Sequence, residues 1–175
     1  MRVEGSTGVC TRCEPRSGWV GLSGGAGSGA SEAFRAPGEQ VKGEAYLEGM
    51  RLRVYVVEVR RSTKGPQGLI SRTHPGLVKR LFELEVPEIY DGTVEIKSVA
   101  REAGSRTKLA VWSADPNVDP IGACVGPKGQ RVNTIVEALK GEKLDIIRFP
   151  EDTPQYIAPA LSPADAARAA EPPDG

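Results

Sequence analysis

The chain has 175 residues, 39% of them hydrophobic and only 5% aromatic, and its 23 basic and 23 acidic side chains balance. That length admits one ordinary domain or one small domain with long flanks, and the 21 glycines and 14 prolines, concentrated outside the middle, favour the second. No apolar run approaches the roughly 18 residues of a membrane span, and the opening residues lack the apolar stretch of a secretory signal, so a soluble cytoplasmic protein is expected.

Residues 1–35 are expected to form an unstructured Gly/Ser-rich lead. The stretch "SGWVGLSGGAGSGASEAF" has one apolar patch at Trp19 and Val20, followed by linker chemistry. Neither of two motif-like stretches here carries chemistry. Cys10 and Cys13 form a CxxC, but a structural zinc takes about four ligands, and the chain offers one further cysteine and a single histidine, His74. No strand–helix unit frames the pair for redox work. "GGAGSGAS" has Ala30 where a phosphate-binding loop needs lysine. No metal and no cofactor are expected.

Order is expected to begin at Arg51. "RLRVYVVEV" alternates Leu52, Val54 and Val56 with Arg53, Tyr55 and Val57, a half-buried strand. Gly65 and Pro66 turn the chain and "LISR" starts a return strand weakened by Gly68, so residues 36–72 hold a β hairpin. Thr73 is placed to cap a helix with Pro75 in its first turn. Leu77, Leu81 and Leu84 mark its inward face, and Pro87 stops it. "VEIKSVAR" and "TKLAVWS" form two strands around "EAGS", with Val94, Ile96, Leu109 and Val111 inward. Asp119 before Pro120 is a strong helix start, and "GPKG" limits that helix to Pro120–Val125. Val132, Ile135, Val136 and Leu139 then give the stripe of an amphipathic helix, closed at Gly141. "KLDIIRF" supplies a last strand, and residues 151–175 form an Ala/Pro-rich acidic tail. Residues 73–150 therefore read α-β-β-α-α-β, an α+β unit with a three-stranded sheet and helices on one face.

The balanced charge hides segregation. Residues 51–80 hold eight basic residues against Glu58 alone, while the tail leans acidic through Glu151, Asp152, Asp165, Glu171 and Asp174. A basic middle attracts anionic polymers without an extreme isoelectric point.

The turn Gly126–Pro127–Lys128–Gly129 is the most informative stretch. A short reversal between helices explains the glycines, but it does not explain Lys128 at the tip and Arg131 in the next helical turn. Cations beside a helix N-terminus oppose its dipole, so backbone N–H groups, dipole and cations together point to an anion. A Gly-x-x-Gly turn between two helices of such a unit is how KH domains hold about four single-stranded nucleotides.

From "SRTHPGLVKRLFELEVPEIYDGTVEIKSVAREAGSRTKLAVW" through "DPNVDPIGACVGPKGQRVNTIVEALKGEKLDIIRF", the sequence closely resembles the first KH domain of the NusA family of bacterial transcription elongation and termination factors. "APGEQVKGEAYLEGMRLRVYVVEVRRSTKGPQ" is similar to the end of the OB-type barrel that precedes that domain, so the whole resembles a shortened relative with residues 36–72 as a barrel remnant. The resemblance implies a type II KH fold, single-stranded RNA as ligand, and RNA polymerase and other elongation factors as partners. By motif match, Gly126, Pro127, Lys128 and Gly129 become the RNA-clamping loop, and Ile121, Gly122, Val125 and Arg131 the flanking groove. A monomer without membrane association is expected. The competing reading is a KH unit that docks a protein, a change that goes with loss of the loop cation, here retained as Lys128. An enzyme is not expected: no catalytic triad, metal cluster or paired carboxylates appear, and Asp115 and Asp119 serve as turn and cap residues.

Overall fold

Alternating burial of Leu52, Val54 and Val56 organises the first half of the chain. The computed structural model describes residues 7–13, 19–23, 31–34, 36–46, 52–62 and 65–149. Strands β1 (Thr7–Cys13), β2 (Trp19–Ser23) and β3 (Ser31–Phe34) precede the hairpin of β4 (Leu52–Ser62) and β5 (Gly65–Ser71). They pair in the order β1-β2-β3-β5-β4 and close through β1 against β4. A closed five-stranded barrel leaves no free edge and is the architecture of OB-type folds. Its interior holds Ala33, Leu52, Val54, Val56 and Ile70.

The hairpin stands as expected, but the unstructured lead does not. Residues 7–13, 19–23 and 31–34 are strands, so the hairpin is one side of a complete barrel and not a remnant. The physical reason is the distance of the partners: Thr7 pairs with Tyr55, and Glu32 with Gln67. Gly68 does not open β5 but sits within it, facing buried Ala33 across a parallel ladder, where two small residues meet. The side chains of Cys10, Cys13 and Trp19, and the tail 151–175, lie outside the described residues.

The second sheet has the order β6-β7-β8, formed by Val94–Glu102, Arg106–Ser113 and Lys143–Arg148, with β7 antiparallel to β6 and parallel to β8. Helices α1 (Pro75–Glu85), α2 (Pro87–Tyr90), α3 (Pro120–Val125) and α4 (Gln130–Ala138) accompany it. Leu77, Leu81, Phe82, Ile135 and Leu139 pack against Val94, Leu109 and Val111. Two local expectations need correction. The cap of α1 is His74, whose Nδ1 accepts from Gly76 N at 3.0 Å, and not Thr73. Leu84 is 56% exposed, because Val78 and Phe82 set the buried stripe with Leu77 and Leu81, leaving Leu84 about a quarter-turn off its centre. Pro87 ends α1 and also begins α2.

Barrel and KH unit meet around buried charge. Arg72, 1% exposed, donates through Nε to Glu44 at 3.0 Å and through Nη2 to the same carboxylate. Its Nη1 reaches Arg53 O on β4 at 2.7 Å, and both terminal nitrogens reach Ala138 O, at the end of α4, at 3.3 Å. Tyr46 donates to Glu44 at 2.7 Å, and burial with that bond pushes its hydroxyl up to about 12. Tyr55 of β4 stacks on His74, ring centroids 4.5 Å apart.

Glu142, also 1% exposed, accepts a fork from Arg101 Nε and Nη2, both at 2.9 Å, with Gly104 N at 3.0 Å and the Thr107 hydroxyl completing its shell. Arg101 Nη1 continues to His74 O at 2.9 Å. Burial by itself would raise this carboxyl, but the Arg101, Thr107 and Gly104 hydrogen bonds outweigh it and hold it below its ordinary 4.5. A depressed folded-state value means stability that is present above 4.5 and lost as pH falls through the folded value.

Two measurements follow from this architecture. Deleting residues 1–35 strips β1–β3 from β4 and β5 and exposes their edges; circular dichroism and light scattering should show a lowered thermal midpoint and self-association. An unchanged midpoint in a monomeric deletion would show that β1–β3 contribute nothing. Glu142→Gln leaves Arg101 buried without its counter-charge, at a cost of about 3 kcal/mol or more in urea unfolding at neutral pH. The gap to wild type should narrow as pH drops below 4.5.

Candidate nucleic-acid interface

Helix α3 begins with its cap in place. Asp119 accepts from Ile121 N at 3.3 Å and Gly122 N at 3.0 Å, with Pro120 at the first helical position. The hydrogen bond from Arg148, then that from Gly122, holds the Asp119 carboxyl below its ordinary range. The helix ends where Gly126 takes φ 74°, ψ 175°, a conformation essentially restricted to glycine. Pro127–Gly129 make a single 3-10 turn, with Gly129 N bonded to Gly126 O at 3.1 Å. Lys128 is left-handed at φ 54°, ψ 24°, followed by Gly129 at φ 75°, ψ 13°, and α4 starts at Gln130. A lysine in that region is uncommon and strained. Pro127 and Lys128 are exposed at the tip.

Ile121, Gly122 and Val125 lie at spacings of three and four residues on α3, so they share one face leading to the turn. Gly122 is exposed, and Ile121 and Val125 are half-buried. The structure therefore brings seven of the eight expected residues into one strip. Arg131 is the exception. Its Nη1 donates to Ala123 O at 2.7 Å and Glu88 Oε2 at 2.9 Å, tying α4 to the last turn of α3 and to α2. A Cβ on Gly126 would stand 2.6 Å from Arg131 Cγ, so the arginine stem lies directly on the glycine. Arg131 braces the turn, and Lys128 is the cation that the turn itself presents. Glu88, 43 residues away in sequence, gave no local signal of this role.

Other reactive groups of the fold are committed elsewhere. Cys124 is fully buried, and that burial, aided by Glu88, pushes its thiol up to about 12. His74 spends Nδ1 on the α1 cap. Arg72, part of the basic stretch, is locked in the barrel junction and so contributes no surface charge.

A three-stranded sheet covered by helices on one face, with a Gly-x-x-Gly turn joining two of them, defines a type II KH domain. Residues 72–149 match the family described as the NusA-like first KH domain. The chain is NusA-like. It is 57% identical over 158 residues to the transcription termination/antitermination protein NusA of Halalkalibacterium halodurans, covering 90% of this chain and 40% of that protein. NusA of Bacillus subtilis is 54% identical over 158 residues, covering 90% of this chain and 41% of its own length. NusA of Thermus thermophilus is 48% identical over 159 residues, with 90% and 40% covered. The chain thus spans about two-fifths of the length of these relatives. The match with the Halalkalibacterium protein leaves 17 of the 175 residues uncovered, fewer than the first 35, so it reaches into the stretch that forms β1–β3.

Gly126→Ala tests the brace. The added methyl meets Arg131 and a backbone angle closed to alanine, with an expected loss of about 1–3 kcal/mol in urea unfolding. Equal stability would mean that the Arg131 stem moves aside without cost.

Proposed function

We propose that the chain binds single-stranded RNA through Gly126–Gly129 and the adjoining strip of α3. In this reading it acts in a NusA-like factor during transcription elongation, termination and antitermination, with RNA polymerase and elongation factors as partners. The observation that carries the reading is the turn itself: two glycines and an exposed, strained Lys128 at the start of α4. Gly129, where an added Cβ would have no neighbour closer than 3.6 Å, leaves room for a sugar–phosphate backbone, and the helix start and lysine supply donors and positive charge. Ile121, Gly122 and Val125 offer the bases an apolar, low-relief surface. Arg131 holds the turn from beside it. The role is that of a binding factor and not an enzyme, in the cytoplasm. Among the described residues no helix is long and apolar enough to cross a membrane.

Replacing both Pro127 and Lys128 by Asp tests this. Gly126 and Gly129 remain, both replaced side chains are exposed, Asp tolerates the left-handed backbone at position 128, and loss of Pro127 costs about 1 kcal/mol or less. Electrophoretic assays with single-stranded RNA should show wild-type binding that weakens with salt, because phosphate contacts release counterions. The double variant should bind at no salt concentration while still unfolding cooperatively, its thermal midpoint lowered by a few degrees at most. If it binds as wild type does, the turn serves only to reverse the chain, and protein docking becomes the better reading.

A further inference from the structure

At the end of α3 opposite the Gly126–Gly129 turn, the connection from β7 encloses a cavity of about 360 Å³. That volume is within the range of small-ligand sites. The residues that line it include half-buried Trp112, exposed Asn117, and Arg148 and Asp119, which form an ion pair. An indole and a guanidinium offer stacking planes for a flat heterocycle, and a carboxamide offers an edge partner.

The loop that carries these groups is built in advance. Ser113 Oγ donates to Asp115 O at 2.8 Å, and Asp115 Oδ1 accepts from Asn117 N at 2.8 Å and from Asn117 Nδ2 at 3.0 Å. The amide is held by one N–H, and its carbonyl oxygen and second N–H suit a ligand edge. Lys97 Nζ lies 4.6 Å from the Trp112 ring centroid, a cation–π contact that steadies the indole. The Arg148–Asp119 pair spans 3.0 Å with both side chains more than half exposed. Such pairs add little stability, so the guanidinium is able to exchange partners.

The path of a strand connects this cavity with the turn. Helix α3 has six residues and so measures about 9 Å. The roughly four nucleotides of a KH clamp, even at the compact rise of about 3.4 Å each, already cover about 10 Å. A strand held at Lys128 and lying along Val125 and Ile121 therefore arrives at the start of α3, where Asp119 and Pro120 line the cavity that Trp112 also lines. We infer that this cavity receives one further nucleobase of that strand, stacked on Trp112 and bonded along its edge by Asn117 and Arg148. The inference rests on the RNA-binding reading of the turn.

Fluorescence anisotropy of the full chain with tetra-adenylate and octa-adenylate separates the two claims. The octamer should bind more tightly than the tetramer and should quench tryptophan emission more strongly. Combined Asn117→Ala and Arg148→Ala, two exposed positions, should weaken the octamer about tenfold and leave the tetramer unchanged. Trp112→Leu should do the same, provided its thermal midpoint shows it folded. If the octamer gains nothing over the tetramer, or keeps its full affinity for the double variant, the cavity is no base site while the turn reading stands. If wild type binds neither oligomer, the turn reading and this inference fall together.

Discussion

A guanidinium taken out of water must find acceptors in every direction its N–H groups point, and Arg72 finds them in three separate parts of the chain. Glu44 meets it from the barrel connection, Arg53 O from β4 and Ala138 O from the end of α4. The buried charge is satisfied where those three segments meet, so the pairing ties the barrel to the KH unit. The same logic repeats at Arg101, matched by Glu142 and by the carbonyl of His74. Such networks are worth little compared with an apolar contact of equal volume. Their value here is geometric: a wrong docking leaves charge unpaired.

That geometry bears on the Gly126–Gly129 turn through α4. One end of this helix carries the Gly126–Gly129 turn, and its other end gives the Ala138 carbonyl to Arg72. A rod of nine residues therefore spans from the turn to the barrel junction. Movement of the barrel against the KH unit would have to pull on the C-terminal end of α4 or break the Arg72 bond to it.

Within the turn, two cations that look alike in sequence do different jobs. Arg131 has a long planar head suited to several acceptors at once, and it is used on Ala123 O and Glu88 while its stem covers Gly126. Lys128 carries a compact charge on a flexible stem and stands at the exposed tip. The division makes sense of the left-handed lysine. With Arg131 locking both flanking helices, the backbone strain at Lys128 has somewhere to be held.

The KH unit was largely legible because its signals are local. Asp119–Pro120 caps α3, glycines bracket Lys128, and the apolar stripe through Ile135 and Leu139 defines α4, each encoded within a few residues. The barrel was not. Strands β1 and β3 close the barrel through partners dozens of positions away on β4 and β5, and a Gly/Ser-rich composition hides a strand whose stability comes from its neighbours. Leu84 and Thr73 misled because periodicity and capping preference rank candidates without knowing what packs against them. By itself the sequence determined that a Gly-x-x-Gly turn joins two helices of an α-β-β-α-α-β unit, since helix starts, stops and tight turns are short-range chemistry. Only the tertiary structure decided that the barrel closes, that Arg72 is buried, and that Arg131 braces the turn. Those outcomes depend on partners that meet only after the chain has folded.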